Sequence, residues 1–526
     1  MKLVPALFTG TSRRSRSAET TGQVLAEAHL EDRRTHWGSW WIDPRRALWP
    51  RWIWLRALGL IFLSAFYSLA FQITGLIGPR GILPAGQYLG EVHRAFGLAK
   101  GVWFAPSVFW ISASDRALLA VTLMGAIASI LLVLNVAPRI CIAVAGACFL
   151  SFVGAAQDFA SYQSDGMLLE AALISFFLAP RGLRPRLGAA DPSSRLPLFL
   201  LLWEWFRIYF ESGVVKLLSG DPQWRTLTAM DHYYENGPLP TWVGWYVQQR
   251  LPHGFHAFTV LLIFLFELAI VWFAFLPRRF RLICFCLATS FQLAIILTAN
   301  YAFLNYIVLC LGVLLVDDRF LRLSAPAAAV KRTPWPTRIA LGWILYATVV
   351  VAPGISPLVA QPLLWPAIAL EPFRVANRYG LFAVMTTDRY EIEFQGSRDG
   401  VSWTAYPFRY KPQEPMDAPG IYAPYQPRFE WNLWFASLGE WRSYSWVLRT
   451  ELRLLEGSPA VLRLFAQNPF PEGPPTWVRA VRWQYWFSTV EEKRASGAWW
   501  RREERGLYAP ELHAGGRGVE AVGPLP

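Results

Sequence analysis

Four ionisable residues stand in or directly behind an apolar run: Glu204, Arg207, Glu211 and Lys216. The eight residues before them, 196–203, read as the opening of a membrane span. Charges in hydrocarbon cost several kcal/mol unless they pair or line a cavity, so two chemistries are open. In the first, the groups form an ion-pair ladder that glues a helix bundle. On a helix Glu204 and Arg207 stand i,i+3 and Arg207 and Glu211 i,i+4, so all three share one face. In the second, that face lines a polar cavity, and Lys216, half-desolvated beside Ser219, Gly220 and Asp221, serves as a general base. Snorkelling of Lys216 to the headgroups is the plainer alternative for a single lysine.

Other polar groups lie in apolar surroundings: Asp158, Glu170, Glu267, Gln292, Asn300 and Asn305. They suffice for a polar cavity but are too scattered to define a proton relay or an ion path. His253 and His256 stand i,i+3 without a third ligand nearby, so no metal site is expected. No nucleophile elbow, zinc-protease helix, phosphate loop or dinucleotide fingerprint occurs in usable context, and no cofactor is expected. Asp221, Trp224, Arg225 and Asp231 form a loop motif behind the charged helix. Farther on, Tyr425, Arg428, Trp431 and Trp434 belong to the residue types that dominate protein-interface hot spots. They are candidates for binding a client protein; filling a domain core or lying on the membrane interface are the alternatives.

The elements that position these residues follow from composition. Of 526 residues, 54% are hydrophobic and 17% charged, too apolar for an ordinary soluble enzyme and too polar for spans alone. Apolar stretches recur at 52–78, 116–136, 140–156, 167–178, 196–218, 257–276, 280–298, 302–316 and 339–352, about nine spans. The 27 Trp include Trp37, Trp40, Trp41, Trp49, Trp52 and Trp54, crowded at one border as an interfacial belt. Lys and Arg alternate between loops: the N-terminal arm and the loops after the fourth, sixth and eighth stretches are basic, while 157–166 has none. The positive-inside rule then places the N-terminus in the cytoplasm and everything after the ninth stretch outside. The net charge of +13 is thereby consumed by topology, which disposes of nucleic acid as a partner. Residues 1–35 lack a cleavable signal, so the first stretch is expected to act as an uncleaved anchor.

Five cysteines, Cys141, Cys148, Cys284, Cys286 and Cys310, all sit in apolar stretches, which leaves no disulfide framework or zinc spacing. With no Asn-x-Ser/Thr acceptor either, a bacterial cytoplasmic membrane is favoured over an ER membrane. The expected order is a basic, disordered cytoplasmic arm (1–51), a multi-span domain (52–353) with an outer loop (219–256), an interfacial linker (354–372), a soluble outer domain (373–512) and a disordered tail (513–526). In the soluble domain, 389–395 and 403–410 alternate around a turn at 397–400, as in a β-hairpin. Residues 443–456 read as an amphipathic helix and 477–487 as a strand, with 498–502 returning beside it. The fold class is a polytopic α-helical membrane bundle with a C-terminal extracytoplasmic α+β or β-sandwich-like domain.

At residues 211–235, 238–240, 300–305, 377–387, 389–396, 410–412 and 424–435 the chain resembles the lipase maturation factor family, over roughly 50–510. The resemblance implies a multi-pass protein, in the ER membrane in animals, needed for dimeric lipases to fold, with a lumenal C-terminal domain that engages the client. Secreted clients, lipases among them, and membrane lipids are the implied partners. The chain departs from the family in having no lumenal cysteine and no glycan acceptor. Its membrane half is also distantly similar to the vitamin K-dependent carboxylase and its horizontally transferred transmembrane relatives, where a Lys shortly before an Asp/Trp motif is a base. Lys216 before Asp221 and Trp224 matches that layout and supplies the enzyme alternative, carboxylase-like or with a lipid or quinone cosubstrate. The leading expectation is a maturation factor without bond-making chemistry of its own.

Overall fold

The computed structural model describes residues 43–324, 333–353, 357–515 and 518–522. Most of the expected basic arm, with Trp37, Trp40 and Trp41, lies outside the described residues, as do 354–356 of the linker and 523–526 of the tail.

The membrane half consists of helices α1 (Leu48–Ile77), α2 (Ala85–Phe104), α3 (Asp115–Val133), α4 (Pro138–Val153), α5 (Gln163–Leu178) and α6 (Arg195–Leu218). Short helices α7 (Pro222–Arg225), α8 (Ala229–Asn236) and α9 (Trp242–Arg250) fill the loop behind α6. Then come α10 (His253–Leu268), α11 (Arg278–Thr298), α12 (Leu304–Gly312), α13 (Trp335–Val350) and α14 (Pro357–Ile368). Every apolar stretch expected to span is helical. Among the described residues, Leu48–Ile77, Asp115–Val133, His253–Phe275 and Arg278–Thr298 are the 4 helices long and apolar enough to cross a membrane, so the expected count of about nine is shown only as a helical membrane domain. Charges set α6 apart from them, and α5 and α13 are short, at 16 residues each.

The belt of tryptophans is revised as well. Trp54 is fully buried, its indole N–H donating to Ser175 Oγ at 2.8 Å. A buried indole needs such a partner, and α5 supplies it. Arg51, read as a cytoplasmic charge, is buried and donates to the carbonyls of Leu187, Gly188 and Asp191.

The C-terminal half is a single sheet with helices, an α+β arrangement rather than a sandwich. The strands are β1 (Arg389–Ser397), β2 (Thr404–Ala405), β3 (Trp477–Phe487), β4 (Trp500–Leu507), β5 (Glu511–Gly515) and β6 (Gly518–Val522), in the order β2-β1-β3-β5-β6 with β4 also on β3. Helices α15 (Arg428–Ser437), α16 (Trp446–Leu455), α17 (Pro459–Leu462) and α18 (Val490–Ser496) complete it. The expected hairpin is short: β2 holds two residues, and the long antiparallel partner of β1 is β3, from Arg389↔Tyr485 to Ser397↔Trp477. The period of two explains the choice. Ile392 and Phe394 point into a core with Phe429 and Phe465, and the alternate face pairs Glu391 with Lys411 at 2.7 Å and Gln395 with Arg479 at 2.8 Å.

The tail expected to be disordered from 513 instead continues the sheet. β5 pairs with β3 and β6 with β5, and His513 stacks on Trp477 at 3.9 Å between ring centres. Glycine content at the end concealed the alternation of 511–515.

Candidate functional site

The charged face of α6 is a receptor for the chain that leads into the C-terminal half. Arg207 is fully buried. Its Nη1 donates to Glu170 Oε1 of α5 at 2.7 Å and its Nε to Glu211 Oε1 at 2.9 Å. Its Nη2 donates to the carbonyl of Asn377. Glu170 Oε2 in turn accepts from Asn377 N, Asn377 Nδ2 and the Tyr379 hydroxyl, each at 3.0 Å. Glu211 Oε2 accepts from Tyr379 N at 2.9 Å. Carboxylate oxygens thereby meet the charge-assisted donors that a buried charge requires. Glu204 lies at the same place, fully buried near Glu170, Arg207 and Tyr379, but its carboxyl oxygens have no hydrogen-bond partner.

The strap continues residue by residue. Gly380 N donates to Gln163 Oε1, Leu381 N to Ser212 Oγ, and Met385 N to Asp221 Oδ2 at 2.7 Å. Trp224 Nε1 donates to the carbonyl of Phe382 at 3.0 Å, and Asn236 Nδ2 to that of Thr386 at 2.9 Å. Backbone groups of Asn377, Tyr379, Gly380, Leu381, Phe382, Met385 and Thr386 are thus taken up by α5, α6 and the 219–256 loop. Gly166 of α5 permits the approach: a Cβ there would stand 2.4 Å from Asn377 Oδ1.

The loop motif divides accordingly. Asp221 caps α7 through Oδ1 while Oδ2 holds Met385, and Trp224 is buried against the strap. Arg225 is exposed, and Asp231 pairs with exposed His253 at 2.8 Å instead of facing the strap. Lys216 gives both Glu267 oxygens a hydrogen bond, at 2.9 and 2.8 Å, and lies 5.2 Å from the centre of the Trp224 ring. Two of its three N–H donors thus go to one buried carboxylate, so it is engaged inside the bundle instead of snorkelling.

A second seam joins the halves. Arg428 is fully buried and bidentate on Asp165, with Nη1 and Nη2 each 2.8 Å from a carboxylate oxygen, and Nη1 also reaches the carbonyl of Phe159 at 2.9 Å. Its guanidinium lies over the rings of Phe152 and Tyr162. Trp431 is buried against Tyr162 and Tyr301. Tyr425 packs between Tyr67 and Tyr410, and Trp434 is half-buried against Phe435. Arg428 and Trp431 thus stitch the two halves together in this arrangement and offer no open surface to a client.

At a third seam, Arg389 of β1 is buried and donates to the carbonyls of Glu235, Gly237 and Pro238. Glu235 Oε2 accepts from Phe487 N of β3 at 2.7 Å. Burial pushes the Glu235 carboxyl up to about 7, with the Phe487 N–H and Arg389 pulling the other way. Glu430 of α15 is raised to about 6 by burial, against the N–H groups of Lys411, Arg409 and Tyr410. Asn300 binds Tyr422 N and Ala423 N through Oδ1 and the carbonyl of Gly420 through Nδ2.

Glu170 and Glu267 stood out in the sequence as intramembrane acids, as did Arg207 and Lys216 as bases, but nothing in the spacing paired one with the other. Asp165, Glu235, Arg389, Asn377 and Tyr379 carried no individual signal, since each meets a partner more than a hundred and fifty positions away in sequence. The arrangement can hold the C-terminal sheet domain against the helices of the membrane half; among the described residues it presents no nucleophile–base pair.

Comparison with known proteins agrees with that division. The family model described as the lipase maturation factor transmembrane domain matches residues 49–323, and the one described as the lipase maturation factor C-terminal domain matches residues 375–510. Mouse lipase maturation factor 1 is 32% identical, over 91% of this chain and 88% of its own. Chicken lipase maturation factor 2 is 31% identical over 90% of this chain and 82% of its own. Human lipase maturation factor 1 is 30% identical over 93% and 90%. No solved structure matches the chain.

Proposed function

The chain belongs to the lipase maturation factor family, and from that premise we propose that it is a membrane-embedded factor that assists the folding of secreted proteins, lipases first among them. The observation that carries this reading is the set of seams. Arg207 with Asn377 and Tyr379, Asp165 with Arg428, and Glu235 with Arg389 and Phe487 hold the C-terminal half against the membrane half. A factor that receives clients as they leave the membrane needs such a fixed platform, since a rigid surface loses less freedom on binding.

The finer features belong to the same proposal. The helices make about nine crossings, with the N-terminus in the cytoplasm and the C-terminal half outside, supported by the alternation of basic loops. The division runs 52–353 for the membrane domain, 354–372 for the linker and, with β5 and β6 added to the expected 373–512, 373–522 for the soluble domain. Absence of disulfides and glycan acceptors favours a bacterial cytoplasmic membrane over the ER. Of the client-facing candidates, Tyr425 and Trp434 remain partly exposed and are the first to probe. No observation favours the enzyme alternative, because Lys216 is held by Glu267.

The test is co-expression with a secreted dimeric lipase, measuring secreted activity per milligram, together with crosslinking from Trp434 in living cells. A rise in specific activity with capture of the lipase supports the reading. Unchanged specific activity, or a reporter fused at Leu512 active only in the cytosol, overturns it.

A further inference from the structure

Between α6, α10, α11 and α12 lies a cavity of about 140 Å³, far above the roughly 10–15 Å³ that one water needs. Its walls are mainly apolar, among them Ile208, Ile263, Phe291, Ile295, Val308 and Leu381. Thr259 of α10 and Ala294 and Thr298 of α11 belong to its rim, and Ala294 is exposed. Both helices belong to segments long and apolar enough to cross a membrane, and their outward faces beside this rim carry exposed Phe258, Leu261, Leu262, Leu293 and Leu297. The opening therefore faces hydrocarbon, not water.

The deep end is polar. Gln292 Nε2 donates to the Tyr209 hydroxyl and Asn305 Nδ2 to Gln292 Oε1, both at 2.7 Å. Asn305 is buried, lines the cavity, and its Oδ1 has no partner. Whichever way the amide is turned, Gln292 engages one end and leaves the other open. A hydroxyl, donor and acceptor at once, meets either orientation. Lys216 and Glu267 are the one basic and the one acidic side chain in the wall, and they pair with each other. A charged headgroup finds no counter-charge here.

We propose that this cavity binds a neutral lipid: one hydrocarbon chain entering between α10 and α11, and a free hydroxyl bonded to the Asn305 amide. The assignment is independent of the client reading, because it rests on the cavity alone.

The test uses the full-length chain in phosphatidylcholine nanodiscs and two photoactivatable probes, a diacylglycerol and a phosphatidylcholine bearing the same diazirine chain, with labelled residues mapped by mass spectrometry. The diacylglycerol should label 259–263 and 291–298 in preference to the phosphatidylcholine. Asn305→Leu should lower that labelling roughly three- to tenfold, the worth of one hydrogen bond. Ala294→Trp, which fills the rim, should abolish it while the melting temperature stays that of the parent. Equal labelling by both probes would mark a slot that any surrounding lipid enters; labelling that survives Ala294→Trp, or none within the cavity, as for a water-filled space, would also overturn the proposal.

Discussion

The guanidinium of Arg207 in α6 lies over the ring of Tyr379 in the strap, 4.8 Å from its centre, and both residues donate to Glu170. One acid in α5 thus holds a span and the entry to the C-terminal half in a single network. The closure is distant in sequence, and its strength follows from burial: a lost partner leaves a charge without water or counter-ion.

Replacing Arg207 by Ala should cost about 3–5 kcal/mol, the usual penalty for orphaning one side of a buried pair. The expected sign is early release of the C-terminal half in limited proteolysis, before the helices of the membrane half are cut. Gly166→Ala should produce the same release more mildly by displacing Asn377, without altering any charge. If both variants are cut no faster than the parent, the strap is not held where the network places it.

Arg428 and Asp165 should behave as a coupled unit. Arg428→Ala and Asp165→Ala are each expected to destabilise strongly, with the double variant losing much less than the sum, a coupling of roughly 2 kcal/mol or more for a buried bidentate pair. Arg428→Lys should not restore stability, because an ammonium cannot present two parallel donors. Thermal melting of the four proteins in detergent supplies the cycle.

Glu235 predicts a pH dependence of defined sign. Its carboxyl is raised from 4.5 to about 7 in the folded protein, so the folded state holds the proton more tightly than the unfolded one. The stability it contributes is complete below about 4.5 and is lost as pH rises through about 7, a swing of roughly 3 kcal/mol. Glu235→Gln, which keeps an oxygen for the Phe487 N–H, should flatten the fall in melting temperature between these limits. Parallel pH curves for parent and variant would refute the assignment.

Lys216 gives the sharpest separation of structure from chemistry. Lys216→Ala alone should destabilise by about 3–5 kcal/mol by stranding Glu267. The paired change Lys216→Met with Glu267→Gln should recover most of that loss and, on the maturation reading, the secretion of active lipase. Recovery of folding with complete loss of function would point instead to a base at this position.

The residues themselves announced a helical membrane protein, since apolar stretches and a period near 3.6 are local properties that survive without any partner. They announced the strand at 477–487 for the same reason, and they showed that Glu204, Arg207 and Glu211 share one face. What they left open was the use of that face. Asn377 and Tyr379 meet Arg207 and Glu170 only after the chain has folded back across some two hundred residues, and no spacing rule reports such a closure. Tertiary structure also made Arg428 and Trp431 interior rather than client-facing, gave Lys216 to Glu267, and drew 511–515 and 518–522 into the sheet. Burial is decided by what packs opposite, and a residue type records only its preference.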